Sequence, residues 1–267
     1  MKKSYQVSIE FLYQLFSLIL IIIFVHAIYV GIIRPRADAI LIKQAALMEM
    51  DKSETAERSV YVLIRDYEQE ACFILLFWAL SIIVYKAVTT ARHRALLHKD
   101  LLSLPEDVRI LPEDTRDLSR QIQALPPNQR NALLPRALLA GLQRFNATGN
   151  IQDVADTTQA YCNAEGERLE SELSMIRYIA WAIPSIGFIG TVRGIGDALG
   201  HAHKALEGDI FGVTRSLGVA FNSTLIALLL SILLMFMLHQ LQLLQERSVL
   251  ETETYCEDKL TSHLHSQ

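Results

Sequence analysis

Two stretches decide the fold: IPSIGFIGTVRGIGDALG, residues 183–200, and SLGVAFNSTLIALLLSILLMF, residues 216–236. In the first, Gly187, Thr191 and Gly194 are four and three residues apart, so they share one face of a helix. Gly190 and Gly194 form a GxxxG pair, which lets a second backbone come close. In the second, Ala220, Ser223, Thr224, Ala227 and Ser231 repeat at helical spacing. They make a narrow stripe of small and hydroxyl residues on a helix otherwise built of Leu, Ile, Phe and Met. Lipid is served by Leu on every side, so such a stripe wants another helix or a wet lumen. Asn222 sits roughly 200° around the helix from Thr224 and off that stripe, and its amide is expected to meet a neighbouring helix or subunit.

Both stretches lie in apolar blocks of bilayer-crossing length, which takes about 20 residues. Four such blocks stand out: Phe11 to Ile33, Ala71 to Val88, Tyr178 to Leu199 and Leu217 to Leu238. The third is the least apolar, being Gly-rich and carrying Arg193 and Asp197, so its polar side must face protein or water. The expected architecture is an all-α membrane protein of four transmembrane helices with long helical extensions. Its segments divide as 1–33, 34–70, 71–91, 92–176, 177–240 and 241–267.

Lys2 and Lys3 precede the first apolar run, but that run is longer than a signal-peptide core and no small-residue cleavage site follows. It reads as a retained helix that Arg34-Pro35-Arg36 brings to an end. Residues 34–70 mix both charge signs and read as an amphipathic helix or loop. Prolines 105, 112, 126, 127 and 135 break the first half of the 92–176 segment. From Ile151 the chain lacks proline, and Leu169, Leu173 and Ile176 share a face. A long helix running unbroken into the third span is expected. Residues 240–265 also read as helical. Lys and Arg near the span ends lean toward placing both termini and the 92–176 segment in the cytoplasm.

The net charge of −4 and the lack of a basic stripe give no reason to expect a nucleic-acid partner. Cys72, Cys162 and Cys256 are odd in number and unpaired in spacing, which argues against a disulfide framework or a zinc site. His201-x-His203 with Asp209 nearby is too weak a pattern for a metal. No P-loop, nucleophile elbow or paired-carboxylate site is present, so no enzymatic activity is expected. Arg193 and Asp197 are four apart and suit an ion pair or a point where ions would enter. His26, inside the first span, is expected to sit neutral in a helix contact. Glu10 and Lys86, near span ends, are expected to snorkel.

Taken together, residues 177–240 resemble the MotA/TolQ/ExbB proton channel family. That family's penultimate span carries a Pro and then G-x-x-G-T-V-x-G, matched by Pro184, Gly187, Gly190, Thr191, Val192 and Gly194. Its last span carries small residues with a Thr, matched by Ala220, Ser223 and Thr224.

The resemblance implies a homopentameric ring in the bacterial inner membrane. The ring would surround a dimer of a single-span MotB/TolR/ExbD-like partner with a membrane Asp. That Asp takes and releases protons, or less readily sodium ions, and no further cofactor is implied. Thr191, Thr224 and Ser223 would line the lumen, while Pro184, Gly187, Gly190, Gly194, Ala220 and Ala227 would serve helix packing. Some relatives carry an acid five residues before the last-span Thr, where this chain has Val219. The proton-carrying acid is therefore expected on the partner. The other reading is a non-conducting oligomeric scaffold or sensor.

Overall fold

The computed structural model describes residues 9–50, 59–99, 101–102 and 109–265. Lys2, Lys3, Lys52, Arg58 and Pro105 lie outside the described residues, as does the Glu10 side chain. In chain order the helices are α1 (Ile9–Ile28), a π-helical turn (Tyr29–Ile33), α2 (Arg34–Met50), α3 (Val60–Leu63), α4 (Tyr67–Arg94) and α5 (Thr115–Gln123). Then come α6 (Pro127–Arg130), α7 (Leu133–Thr148), α8 (Ile151–Glu172), α9 (Ser174–Gly200), α10 (Ala202–Leu206) and α11 (Phe211–Tyr255). The chain ends in a π-helical turn (Cys256–Leu260) and a 3-10 turn (Thr261–His263). No strand occurs among the described residues, and a single parallel bridge joins Ile110 to Leu264.

Among the described residues, four helical stretches are long and apolar enough to cross a membrane: Phe11–Gln44, Tyr67–Arg94, Ile151–Gly200 and Phe211–His263. The third is the least apolar of them, as its glycines, Arg193 and Asp197 lead one to expect. The all-α, four-span reading therefore holds.

Proline placement departs from the sequence reading twice. Arg34-Pro35-Arg36 does not stop the first helix, which continues to Met50. The π-helical turn just before it lets Arg34 N–H reach the Tyr29 carbonyl, five residues back. That wider turn leaves room for the Pro35 ring, which a regular helix would drive into the carbonyl four residues back. Pro127 and Pro135 likewise open helices rather than break them. Pro127 is the first residue of α6 and Pro135 lies in the first turn of α7, where backbone N–H groups have no intrahelical partner. The expected long helix from Ile151 into the third span does form, with a single turn residue, Leu173, between α8 and α9.

The chain divides into two compact units. One comprises Met1–Ile83 and Met175–Leu238, the other Val84–Ser174 and His239–Gln267. In the first, α1 and the π-helical turn after it pack on α4 through Val25, Tyr29 and Ile33 against Phe73 and Ile74. The Trp78 indole donates to the Gln14 carbonyl at 3.0 Å and the Tyr13 hydroxyl to Ser81 at 3.3 Å.

The second unit has a core of its own. Leu118 and Ile122 of α5 meet Leu134, Leu138, Leu142 and Phe145 of α7, with Val154 of α8 and Cys256, Leu260 and Leu264 from the chain's end. The α7–α8 turn is set locally. Gly149 takes a left-handed φ of 62° that ends α7, and the Asn150 side chain accepts from Gln152 N–H to begin α8. Lys86 does not snorkel: it is buried and pairs with Glu172 at 2.8 Å, because a carboxylate waits for it inside. The three cysteines are buried free thiols.

Candidate functional site

The glycine face of α9 lies directly on the small-residue stripe of α11. A Cβ placed on Gly187 would stand 2.4 Å from Ala227 Cβ, and one on Gly190 would stand 2.6 Å from Ser223 Cβ. One on Gly194 would meet both Ala220 Cβ and the Ala220 backbone nitrogen at 2.8 Å. These separations are too short for any side chain, so only glycine permits them. With no side chain at these three positions of α9, hydroxyls on one helix can reach carbonyls on the other.

Three such bonds form. Pro184 lacks the N–H that would bond the Ala180 carbonyl four residues back, and Ser231 of α11 donates to that carbonyl at 3.0 Å. Thr191 donates to the Ala220 carbonyl at 3.0 Å, and Thr224 donates to the Gly187 carbonyl at 3.2 Å. The two threonine hydroxyls also touch each other. Two hydroxyl protons thus serve three acceptors, and a small rotation of either hydroxyl redirects the chain of bonds. Each oxygen keeps lone-pair capacity, so the pair can present an acceptor or, after rotation, a donor to an incoming group.

The remaining sequence-singled residues fall around this pair. Ser223 is buried against Gly190, and its hydroxyl returns to the Val219 carbonyl at 2.9 Å. It is covered by α9 at the crossing. Asn222 is half-buried, and no hydrogen bond joins its amide to a described residue. Arg193 does not pair with Asp197. Its guanidinium takes both carboxylate oxygens of Glu68 on α4, at 2.7 and 2.8 Å, because that carboxylate offers a two-pronged, largely buried partner. The Asp197 side chain is exposed, and its backbone carbonyl accepts from His201 Nδ1 at 2.7 Å. His201, His203 and Asp209 form no metal-binding group among the described residues.

Sequence reasoning passed over the two acids that open α4. Glu68 and Glu70 are two apart, so they point to opposite sides of the helix. Glu68 reaches α9, while Glu70 turns to α1. The Glu70 carboxylate, 7% exposed, contacts the Arg34 guanidinium and lies 2.7 Å from His26 Nδ1. Arg34 also stacks over Tyr67, 4.3 Å from the ring centre. His26 therefore meets α4 through a carboxylate. The signal was present in the sequence: a Glu-x-Glu at a span end, and arginines at 34 and 193 that needed partners at membrane depth. Before the span begins, burial holds the Asp66 carboxyl above its ordinary range, against the pull of Arg65, Arg193 and Arg215.

Comparison with known families bears on this pair of helices. Residues 129–254 match the model of the MotA/TolQ/ExbB proton channel family. Over that stretch the chain is similar to the MotA/TolQ/ExbB proton channel family. No curated protein and no solved structure matches the chain. The MotA/TolQ/ExbB match takes in the Thr191–Thr224 contact and extends beyond residues 177–240 on both sides. It begins before α7, covers α8, and runs along α11 nearly to its end. The resemblance drawn from the two motifs therefore points to the same family as this match but understated its reach, since the match takes in α7 and α8, which have no motif of their own.

Proposed function

We propose that the chain is the channel subunit of an ion-driven membrane motor, converting proton motive force into work on another component. The observation that carries this reading is the Thr191–Thr224 contact. Two hydroxyls from separate spans meet at a glycine-thinned crossing, inside the region that matches a proton channel family. A redirectable hydroxyl pair suits a carboxyl that alternates between protonated and charged forms. The apolar stretch of α11 contributes no carboxylate beside it, and Glu68, the nearby acid of α4, is already held by Arg193, so this reading assigns the titrating acid to a partner.

In this reading five copies form a ring in the bacterial inner membrane, with the termini in the cytoplasm. The ring surrounds a dimer of a single-span MotB/TolR/ExbD-like protein with a membrane Asp. The proton is the coupling ion, with sodium the alternative. Thr191 and Thr224 face the lumen, Ser223 is covered by α9 at the crossing, and ions enter past Arg193 and Asp197. Asn222, which lacks a hydrogen bond to the described residues, bonds a neighbouring subunit.

A second reading, a non-conducting oligomeric scaffold, draws on the same geometry. Both threonine hydroxyls already have acceptors in the Gly187 and Ala220 carbonyls, which is enough for packing alone. The double variant Thr191→Val/Thr224→Val separates the two. Valine keeps shape and packing, so under the scaffold reading the complex assembles and acts as before. Under the channel reading it assembles, yet proton uptake into vesicles falls by at least about tenfold, the effect of roughly 1.4 kcal/mol. Particle images of the purified complex report the stoichiometry, and any ring other than five around two removes the motor assignment.

A further inference from the structure

Glu68 stands where three spans meet. Its two carboxylate oxygens hold Nε and Nη2 of Arg193, and its side chain is 11% exposed against 43% for Arg193. Its stem passes the notch that Gly190 leaves open: a Cβ on Gly190 would lie 3.2 Å from Glu68 Cγ as well as 2.6 Å from Ser223 Cβ. Gly190 is the residue before Thr191, so α4, α9 and α11 converge within one turn of the threonine pair.

Arginine does not release its proton, so Arg193 is a permanent positive charge two residues from Thr191. A fixed cation beside a path for positive ions raises the barrier to their passage. The bidentate carboxylate cancels most of that charge and fixes where the rest points, since a fork-to-fork pair has one geometry. Pairing with Asp197 at the next turn would instead leave the guanidinium on the exposed side of α9.

We propose that Glu68 is a positioning residue for ion passage at the threonine pair, holding the Arg193 guanidinium against α4 and cancelling its charge. This rests on the channel reading above. The test uses the complex purified from its native membrane through a tag on this chain. It is reconstituted in vesicles with an internal pH-sensitive dye, and proton uptake is driven by a potassium diffusion potential.

Glu68→Gln keeps the side chain's shape but frees the arginine's charge, and uptake is expected to fall at least about tenfold. Glu68→Gln/Arg193→Gln removes both charges, and uptake is expected to return to within about threefold of wild type, as coupling between the two sites requires. A clamp that merely held the helices together would leave the double variant as impaired as the single. The proposal is overturned if Glu68→Gln conducts normally, or if the double variant stays as low as the single while both complexes keep wild-type yield and size. A wild-type complex that takes up no protons overturns the channel reading itself, and the role of Glu68 with it.

Discussion

At the scale of single residues, two glycines of α9 make opposite demands. A methyl group on Gly187 would lie 2.4 Å from Ala227 Cβ and 3.1 Å from the Ser223 carbonyl oxygen, and neither can swing away. The two helices must separate, which also pulls Thr224 from the Gly187 carbonyl. Gly187→Ala is therefore expected to cost about 1–3 kcal/mol, the usual range for overpacking. Gly196, two turns further along, has nothing within 4 Å of a new Cβ. Gly196→Ala is expected to be neutral or to stabilise by up to about 1 kcal/mol, because alanine loses less backbone freedom in a helix. Thermal unfolding in detergent measures both, and equal midpoints for the two variants would contradict the close crossing. The sequence made Gly187 legible as a packing residue because its spacing sets it on one face with Thr191 and Gly194, and Gly190 because it forms a GxxxG pair with Gly194. It could not say that Ser231 covers the carbonyl that Pro184 leaves open. That pairing links residues about 50 apart in the chain, and no local pattern encodes it.

At the scale of elements, the joint between α1 and α4 hangs on a polar cluster in an otherwise apolar contact. Glu70 is closed off at 7% exposure, Arg34 is 20% exposed, and His26 is 59% exposed. Removing one partner of such a pair leaves an uncompensated charge, which costs more than the pair itself contributes. Glu70→Ala is expected to destabilise the protein by about 2 kcal/mol, between the values for surface and fully buried pairs. Glu70→Ala/Arg34→Ala is expected to recover part of that loss, and unfolding midpoints of the single and double variants provide the check. If the losses simply add, the two groups do not interact. The span was legible from Phe11 to Ile33 because an apolar run needs no partner to be recognised. Its continuation through Pro35 was not. The proline rule assumes a regular ladder, and the π-helical turn at Tyr29–Ile33 exists to relax that ladder just before the ring.

At the scale of the whole molecule, hydropathy marked out the four spans but not the core of the second unit. That core joins Ile110 through Phe145 to residues near the chain's end, and its leucines are scattered among charged and proline-rich stretches. Leu260 illustrates the point. It lies fully buried in a π-helical turn after a 45-residue helix, and its Cδ2 would stand 2.8 Å from a Cβ on Gly141 of α7. Nothing near residue 260 in the sequence announces a partner at residue 141. Because Gly141 leaves a hollow that Leu260 fills, truncating that side chain creates a cavity among Leu138, Leu142 and Val154. Leu260→Ala is expected to destabilise the second unit by about 3 kcal/mol, within the range for burying a void of this size. The loss is expected to be local to the second unit, to whose core Leu260 belongs. Hydrogen exchange distinguishes a local effect from a global one. Amides of α5 and α7 should exchange faster in the variant, while those of α4 between Tyr67 and Ile83 keep their protection. Unchanged exchange across α5 and α7 would mean that the end of the chain does not complete this core.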